Sequence, residues 1–236
     1  RIPEEYSGLG LGHLELCVIA EELGRFLAPV PFSSSVYLFT EAIINYANDD
    51  IKKEILPKLV SGEVIGTLAV AEDLQAPTAD NISLQSDNNI LNGKKIAVPD
   101  AEIATHAIVV AKTSSGISLQ LVDLNADGVK IEKQENIDES RGYFSILFEN
   151  SPSKLIGDET GGWDLYEALM NQAAVLFGYE QIGGSQAALD MAINYSKERY
   201  AFGRQIGSFQ AIKHKLADMY IACLLYTSPS PRDTAL

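Results

Sequence analysis

A cluster of basic residues near the end of the chain has the composition of a binding site for a small anion. Between residues 194 and 215, five basic side chains and one acid give a local net charge of +4, against −14 for the whole chain. The basic residues are Lys197, Arg199, Arg204, Lys213 and Lys215, and the acid is Glu198. A turn at 203–207 is predicted to bring Arg199 and Arg204 close to the N–H groups of a helix that begins near Ser208, which suits a pyrophosphate. The alternative is a solvated helical hairpin with ordinary surface charges.

Composition argues against several other classes of protein. The chain has 236 residues and is 46% apolar, enough for a packed core, and its acidity is unfavourable for a nucleic-acid partner. His13, His106 and His214 lie far apart without neighbouring ligand residues, so we predict no metal site. Cys17 and Cys223 lie in apolar helical patterns, which favours a reducing compartment. Because no signal peptide and no apolar run of membrane-spanning length is found, the protein is predicted to be cytoplasmic.

The spacing of apolar residues divides the chain into three zones and predicts an α+β fold. A partial N-terminal helical domain is expected over 1–62. Alternation of period two predicts a middle β domain over 63–157, with a largely antiparallel sheet in a small barrel or sandwich, because closely spaced turns leave no room for crossover helices. Helical spacing returns over 158–225, with an apolar stripe that one helical hairpin cannot cover.

Caps and a short strand are predicted within these zones. Asp164 and Glu167 are expected to form a capping pair for the first helix of the third zone, and Ser208 is expected to cap the second. Residues 82–85 are predicted to form a strand. Residues 226–236, rich in Ser, Thr and Pro, are predicted to be a non-native or disordered tail, and the chain is predicted to be part of a longer protein.

The basic cluster belongs to a longer motif, and two further motifs precede it. The first to occur is Leu56-Pro-Lys-Leu-Val-Ser-Gly-Glu63, followed by a strand that ends at Ala71-Glu72. The second runs from Leu155-Ile-Gly157 through Gly161-Gly162. The third is Arg199-x-x-Phe202-Gly203-x-x-Ile206-x-x-Phe209-Gln210, followed by Leu216-Ala-Asp-Met219. In this order and at this spacing, the three motifs resemble those of acyl-CoA dehydrogenases.

The resemblance implies a helical domain, a middle β domain and a C-terminal four-helix bundle, of which this chain is expected to contain only the start. In that family FAD lies extended between the β domain and the bundle, and a neighbouring subunit binds its adenosine diphosphate part. The resemblance assigns that contact to Arg199, Phe202 and Gln210. It also implies α,β-dehydrogenation of an acyl-CoA thioester, in which a carboxylate removes the α proton, the β hydride passes to the flavin, and an electron-transfer flavoprotein accepts the electrons.

Two segments depart from the family pattern where the flavin is expected. Ala71-Glu72-Asp73 stands where the family usually has Thr-Glu-Pro, so the expected flavin contacts there are the backbone groups of Val70 and Ala71. Ala97-Val98-Pro99 stands where the family usually has Trp-x-Thr. An aromatic ring and a hydrogen-bond donor are therefore missing beside Ala97, and weaker FAD binding is expected unless another subunit compensates.

The substrate side departs as well. By the resemblance, Ala173 and Ala174 stand where many members carry an Arg that faces the acyl chain, sometimes preceded by a catalytic Glu. No catalytic base is assigned, since the nearby acids Glu167 and Glu180 are predicted to serve as a helix cap and as part of a polar helix face.

These departures resemble the weaker subunit of heteromeric acyl-CoA dehydrogenases, in which a competent chain and a degenerate one share FAD. Three functions therefore stay open. The first is an acyl-CoA dehydrogenase, the second a non-catalytic assembly subunit, and the third a related flavin oxidase or monooxygenase. The resemblance implies a homo- or hetero-oligomer with members of the same family.

Overall fold

Three α-helices precede the sheet: α1 is His13–Phe26, α2 is Glu41–Tyr46 and α3 is Asp49–Ser61. A π-helical segment, Ser33–Thr40, leads directly into α2. Helix α3 begins where its acidic first turn predicts, because the side chain of Asn48 accepts a hydrogen bond from the N–H of Ile51. The computed structural model describes residues 1–138 and 140–227.

The middle of the chain forms an eight-stranded sheet. Its strands are β1 Gly66–Ala69, β2 Gln85–Asp87, β3 Ile90–Pro99, β4 His106–Lys112, β5 Ile117–Asp123, β6 Val129–Gln134, β7 Tyr143–Pro152 and β8 Lys154–Ile156. Their order in the sheet is β6-β7-β3-β2-β4-β5-β8, and β1 pairs with β4. Most pairings are antiparallel, as predicted. The pairings of β4 with β1 and with β2 are parallel, so the sheet is mixed.

The predicted strand at 82–85 is wrong. A 3-10 turn occupies Ala79–Asn81, and strand β2 begins only at Gln85. The reason is that the N–H groups of Ser83 and Leu84 donate to the carboxylate of Glu72 instead of joining the sheet ladder.

Two long helices and a short hairpin complete the described chain. Helix α4 is Gly162–Glu198 and helix α5 is Gln210–Thr227. Strands β9, Tyr200–Ala201, and β10, Arg204–Gln205, form an antiparallel hairpin between them. Of the predicted tail, residues 228–236 lie outside the described residues.

Both predicted helix caps are wrong. Helix α4 begins two residues before Asp164, and the carboxylate of Glu167 accepts a hydrogen bond from the indole Nε1 of Trp163 at 2.7 Å. Ser208 lies in a 3-10 turn, and its hydroxyl donates to the carbonyl of Gln205 at 2.6 Å. Helix α5 therefore begins after Ser208 without a serine cap.

The described residues divide into two compact units. One contains residues 1–13 and 29–174, and its core buries side chains such as Val98, Val109 and Phe148. The other contains residues 14–28 and the chain from Val175 onward. This division differs from the predicted domains 1–62, 63–157 and 158–225, which stay a prediction. None of the helices within residues 1–138 and 140–227 has the length and hydrophobicity that a membrane crossing requires.

Candidate functional site

The basic cluster is built around the β9-β10 hairpin of the second unit. Its two turn residues, Phe202 and Gly203, have φ values of 54° and 79°. Positive φ at both central residues is what a two-residue hairpin turn requires, and glycine meets that requirement without strain. Phe202 adopts it as an aromatic residue whose side chain is 96% exposed. The hairpin therefore presents an aromatic ring to solvent at its tip.

Aromatic contacts hold the base of this hairpin. The guanidinium of Arg204 lies over the ring of Phe209, 4.1 Å from its centroid. Phe202 meets the same ring edge to face, with 6.3 Å between ring centroids. The N–H of Ile206 donates to the carbonyl of Arg199 at 2.8 Å, which ties the end of α4 to the start of the next turn. Arg204 is thus engaged by Phe209, and Arg199 is anchored through its backbone.

The side chains of Arg199 and Gln210 are exposed. Within the described residues, neither side chain takes part in a hydrogen bond or an ion pair. A guanidinium without an acidic partner keeps its five donors available for a phosphate group. Arg199 therefore lies directly before the hairpin that carries Phe202, and Gln210 opens the helix that follows the hairpin.

The second predicted contact region, residues 70–72, follows β1 in the first unit. The carbonyl of Val70 accepts a hydrogen bond from Lys95 Nζ at 2.8 Å. The carbonyl of Ala71 accepts one from the N–H of Ile96 at 2.8 Å. In the described part of the chain, the N–H groups of Ala71 and Glu72 have no hydrogen-bond partner. Within the described residues, the carbonyls of Val70 and Ala71 are therefore bonded, and the N–H groups of Ala71 and Glu72 are among the unbonded donors of the segment.

Lys95 and Glu72 form a buried ion pair beneath this segment. Lys95 is fully buried, and its Nζ lies 2.7 Å from Glu72 Oε1. Burial lowers the pKa of Lys95 to about 8, although the neighbouring carboxylate opposes the shift. Burial would raise the pKa of Glu72, but hydrogen bonds from Lys95, Ser83 and the N–H of Leu84 outweigh it and leave the pKa below its ordinary value. At neutral pH both partners are therefore charged.

Ala97 lies in a β-bulge of strand β3. The pairing of β3 with β7 shifts register between Lys95 and Val98, and Ala97 has a φ of 51°. Its N–H donates to Gln134 Oε1 at 2.8 Å. Pro99 has no N–H, and its carbonyl accepts a hydrogen bond from Thr67 Oγ1 at 2.7 Å. The main-chain N–H of Ala97 is therefore already bonded, and Pro99 has no N–H. The side chains of both residues lack a hydrogen-bond donor.

The two predicted pocket residues lie on α4 with different exposure. Ala173 is fully buried and Ala174 is exposed. Gln172, next to them, donates to Glu41 Oε2 at 2.7 Å. Of the two nearby acids, Glu167 binds Trp163, and Glu180 is half-buried in the second unit.

Glu41 is a buried carboxylate that the sequence analysis did not single out. Its oxygens accept hydrogen bonds from Arg1 Nε at 2.7 Å and from Gln172, and His13 Nε2 lies 3.6 Å from Oε2. Burial would raise its pKa, but the hydrogen bonds from Arg1 and Gln172, with the charges of Arg1 and His13, lower it below the ordinary value. In the sequence, Glu41 is visible as an acid within the helical pattern of α2. Its burial could not be predicted, because its partners Arg1 and Gln172 lie 40 and 131 positions away.

Two families match separate parts of the sequence. Residues 1–63 match the family described as Acyl-CoA dehydrogenase, N-terminal domain, and residues 160–225 match Acyl-CoA dehydrogenase, C-terminal domain. The chain is 32% identical over 236 positions to a 2-methylacyl-CoA dehydrogenase, mitochondrial, of Solanum tuberosum. That match covers 93% of this chain and 57% of the relative, so the chain spans little more than half of that protein's length.

Solved structures share the fold. An acyl-CoA dehydrogenase from Geobacillus kaustophilus matches with a TM-score of 0.88 at 24% identity, over 95% of this chain and 63% of that chain. The ChsE4-ChsE5 complex from Mycobacterium tuberculosis contains a chain that matches with a TM-score of 0.81 at 26% identity. The second match covers 94% of this chain and 60% of that one.

Proposed function

Because this chain belongs to the acyl-CoA dehydrogenase family, we propose that the protein takes part in α,β-dehydrogenation of an acyl-CoA thioester with FAD as its cofactor. The observation that carries the proposal is the hairpin motif, in which Arg199 is exposed and without a side-chain partner among the described residues. In this proposal residues 1–62, 63–157 and 158–225 correspond to the helical, β and bundle domains of the family.

The residues present fit FAD at two places. We assign Arg199, Phe202 and Gln210 to the adenosine diphosphate part of the FAD of a neighbouring subunit, because an exposed guanidinium suits a pyrophosphate. We assign the backbone of Val70 and Ala71 to the flavin ring, since the N–H of Ala71 has no partner among the described residues and the ring carries acceptor atoms. We also assign Ala97 as a third position in contact with FAD. When bound, FAD accepts the hydride that leaves the substrate's β carbon.

On the substrate side, we assign Ala173 and Ala174 to the acyl pocket. Two methyl side chains leave more space than Glu and Arg and add no charge, so this part of the pocket is apolar. No acid among the described residues is assigned as the base. We propose an electron-transfer flavoprotein as the acceptor and an oligomer of family members as the active assembly. A cytoplasmic location stays a prediction, and the potato relative is mitochondrial by name.

A bound flavin tests this function directly. We expect the purified protein to show flavin absorbance and to lose it when an acyl-CoA is added without oxygen. If the protein stayed colourless both when expressed alone and when co-expressed with its genomic neighbour, the proposal would be wrong. Hydrogen peroxide release during turnover in air would indicate an oxidase instead.

Arg199→Ala should weaken FAD binding by roughly 10- to 100-fold, because a hydrogen bond to a charged group contributes about 1.5–3 kcal/mol. The measurement is the FAD dissociation constant by fluorescence titration of the apoprotein. Lys215→Ala is the matched control, since it removes the same charge from the same basic cluster at an exposed position. Equal effects of the two substitutions would show that only the general charge of the cluster matters.

The segment 97–99 favours a second candidate, a non-catalytic assembly subunit. The N–H of Ala97 is bonded to Gln134 and Pro99 has none, so the donors usual at this place are missing. The match to a chain of the ChsE4-ChsE5 complex is compatible with a heteromer. For this candidate we expect colourless protein that becomes yellow only when its genomic neighbour is co-expressed. Full flavin content in the protein expressed alone would exclude it.

A further inference from the structure

We propose that Lys95 is a positioning residue for the flavin, because its buried ammonium group fixes residues 70–72 and leaves the N–H groups of Ala71 and Glu72 available to the ring. The inference rests on the proposed function, since it takes FAD as the ligand. It assigns a role to a side chain that does not itself touch the cofactor.

Lys95 joins three parts of the sheet through one group. Its Nζ donates to the carbonyl of Val70 at 2.8 Å and to the carboxylate of Glu72 at 2.7 Å. That carboxylate also accepts the N–H groups of Ser83 and Leu84, at 2.9 and 3.0 Å, and the hydroxyl of Ser83. The end of β1, the entry to β2 and strand β3 are therefore tied together beneath residues 70–72.

This network determines which backbone groups of the segment remain free. Lys95 and the neighbouring Ile96 bond the carbonyls of Val70 and Ala71. The N–H groups of Ala71 and Glu72 stay unbonded within the described residues. Such an edge recognises a ligand that offers acceptors, and the pyrimidine part of a flavin carries two carbonyl oxygens and a ring nitrogen acceptor.

The side chains at positions 71, 97 and 99 offer the flavin ring no hydrogen-bond donor. The main-chain groups of segment 70–72 are therefore more important for binding the ring. Ala71, Ala97 and Pro99 carry no side-chain donor, and the N–H of Ala97 is already bonded to Gln134. The unbonded main-chain donors of the 70–72 segment, as far as the structure describes it, therefore gain weight as polar contacts for the ring. A small displacement of this segment removes them together, because a hydrogen bond weakens steeply with distance and angle.

The competing explanation is that Lys95 and Glu72 only stabilise the fold. A buried ion pair can be replaced by neutral groups with little loss of stability, whereas removal of one partner leaves an unpaired buried charge. Replacement of Lys95 alone should therefore destabilise the fold more than replacement of Lys95 and Glu72 together. Positioning of the 70–72 segment, in contrast, is lost in both.

Lys95→Met should weaken FAD binding at least about tenfold, which corresponds to about 1.4 kcal/mol. The readouts are the FAD dissociation constant, the absorption band of the bound flavin, which responds to hydrogen bonds at the ring, and the thermal midpoint of the apoprotein. Thr40→Val is the matched control, because Thr40 is buried and also donates to a main-chain carbonyl, that of Ser35, which belongs to neither segment 70–72 nor segment 97–99. We expect it to lower the thermal midpoint and leave FAD affinity and spectrum unchanged.

The double variant Lys95→Met with Glu72→Gln separates the two roles. We expect its thermal midpoint to return towards that of the wild type while FAD affinity stays at least tenfold weaker and the shifted band persists. Recovery of affinity together with stability would overturn the inference, as would a Lys95→Met protein that binds FAD like the wild type. After either of these two results, a wild-type protein that binds FAD would still support the proposed function. A wild type that takes up no FAD would overturn the proposed function and this inference with it.

Discussion

Replacement of Gly183 by alanine should lower the free energy of unfolding of the second compact unit by about 1–3 kcal/mol. Helices α1 and α4 contact each other through backbone atoms at this position. A methyl group on Gly183 would overlap the carbonyl oxygen of Glu21 and lie 2.9 Å from the backbone nitrogen of Arg25. Backbone atoms in a helix cannot rotate away as a side chain does, so the helices must separate. The higher helix propensity of alanine returns only about 1 kcal/mol.

Gly178→Ala is the matched control on the same helix. In the part of the chain that the structure describes, no atom outside the local helix lies within 4 Å of a methyl group placed there. We therefore expect this variant to be more stable than the wild type by about 0.5–1 kcal/mol. Denaturant unfolding of the three proteins measures both effects. If Gly183→Ala were as stable as Gly178→Ala, the backbone contact between α1 and α4 would be wrong.

The order of helices, strands and helices could be predicted because it depends on apolar spacing within each segment. Local capping groups also contribute. At the start of helix α3, Asn48 and the two acids after it are adjacent in sequence. The errors occur where another group competes for a local hydrogen-bonding partner. Glu72 takes the N–H groups of Ser83 and Leu84, which delays β2, and Trp163 takes the carboxylate of Glu167. The first competitor lies 11 positions from Ser83, and the second lies one helical turn away, where sequence spacing does not decide which donor the carboxylate binds.

The candidate site divides in the same way. The basic cluster was accessible from sequence because five basic residues in 22 positions contrast with an acidic chain. Lys95 was not, because its burial depends on a bulge in β3 and on a partner 23 positions earlier. Ala97 is an ordinary strand residue by type, and its positive φ and its bond to Gln134 arise from the shifted register. A buried side chain such as Lys95 is thus harder to predict than a cluster of surface charges.

The second large effect is expected at Glu41, where Glu41→Gln should lower the free energy of unfolding at neutral pH by about 2–4 kcal/mol. The carboxylate is fully buried and paired with Arg1, whose side chain is 21% exposed. A neutral amide leaves that guanidinium without its counter-charge and cannot accept at both former oxygens. Glu102→Gln is the control, because Glu102 is exposed and its substitution should change stability by less than about 0.5 kcal/mol.

The pH dependence identifies the charge as the cause. The pKa of Glu41 is lower in the folded protein than its ordinary value, so the folded state binds this proton less readily than the unfolded state does. Its contribution to stability is therefore complete above the unfolded pKa and is lost as the pH falls through the folded pKa. The difference in stability between wild type and Glu41→Gln should shrink as the pH falls below the ordinary carboxyl range and through the lower pKa of the folded Glu41. A difference that stays constant over the whole range would show that packing, and not the carboxylate charge, holds Arg1 and Gln172 in place.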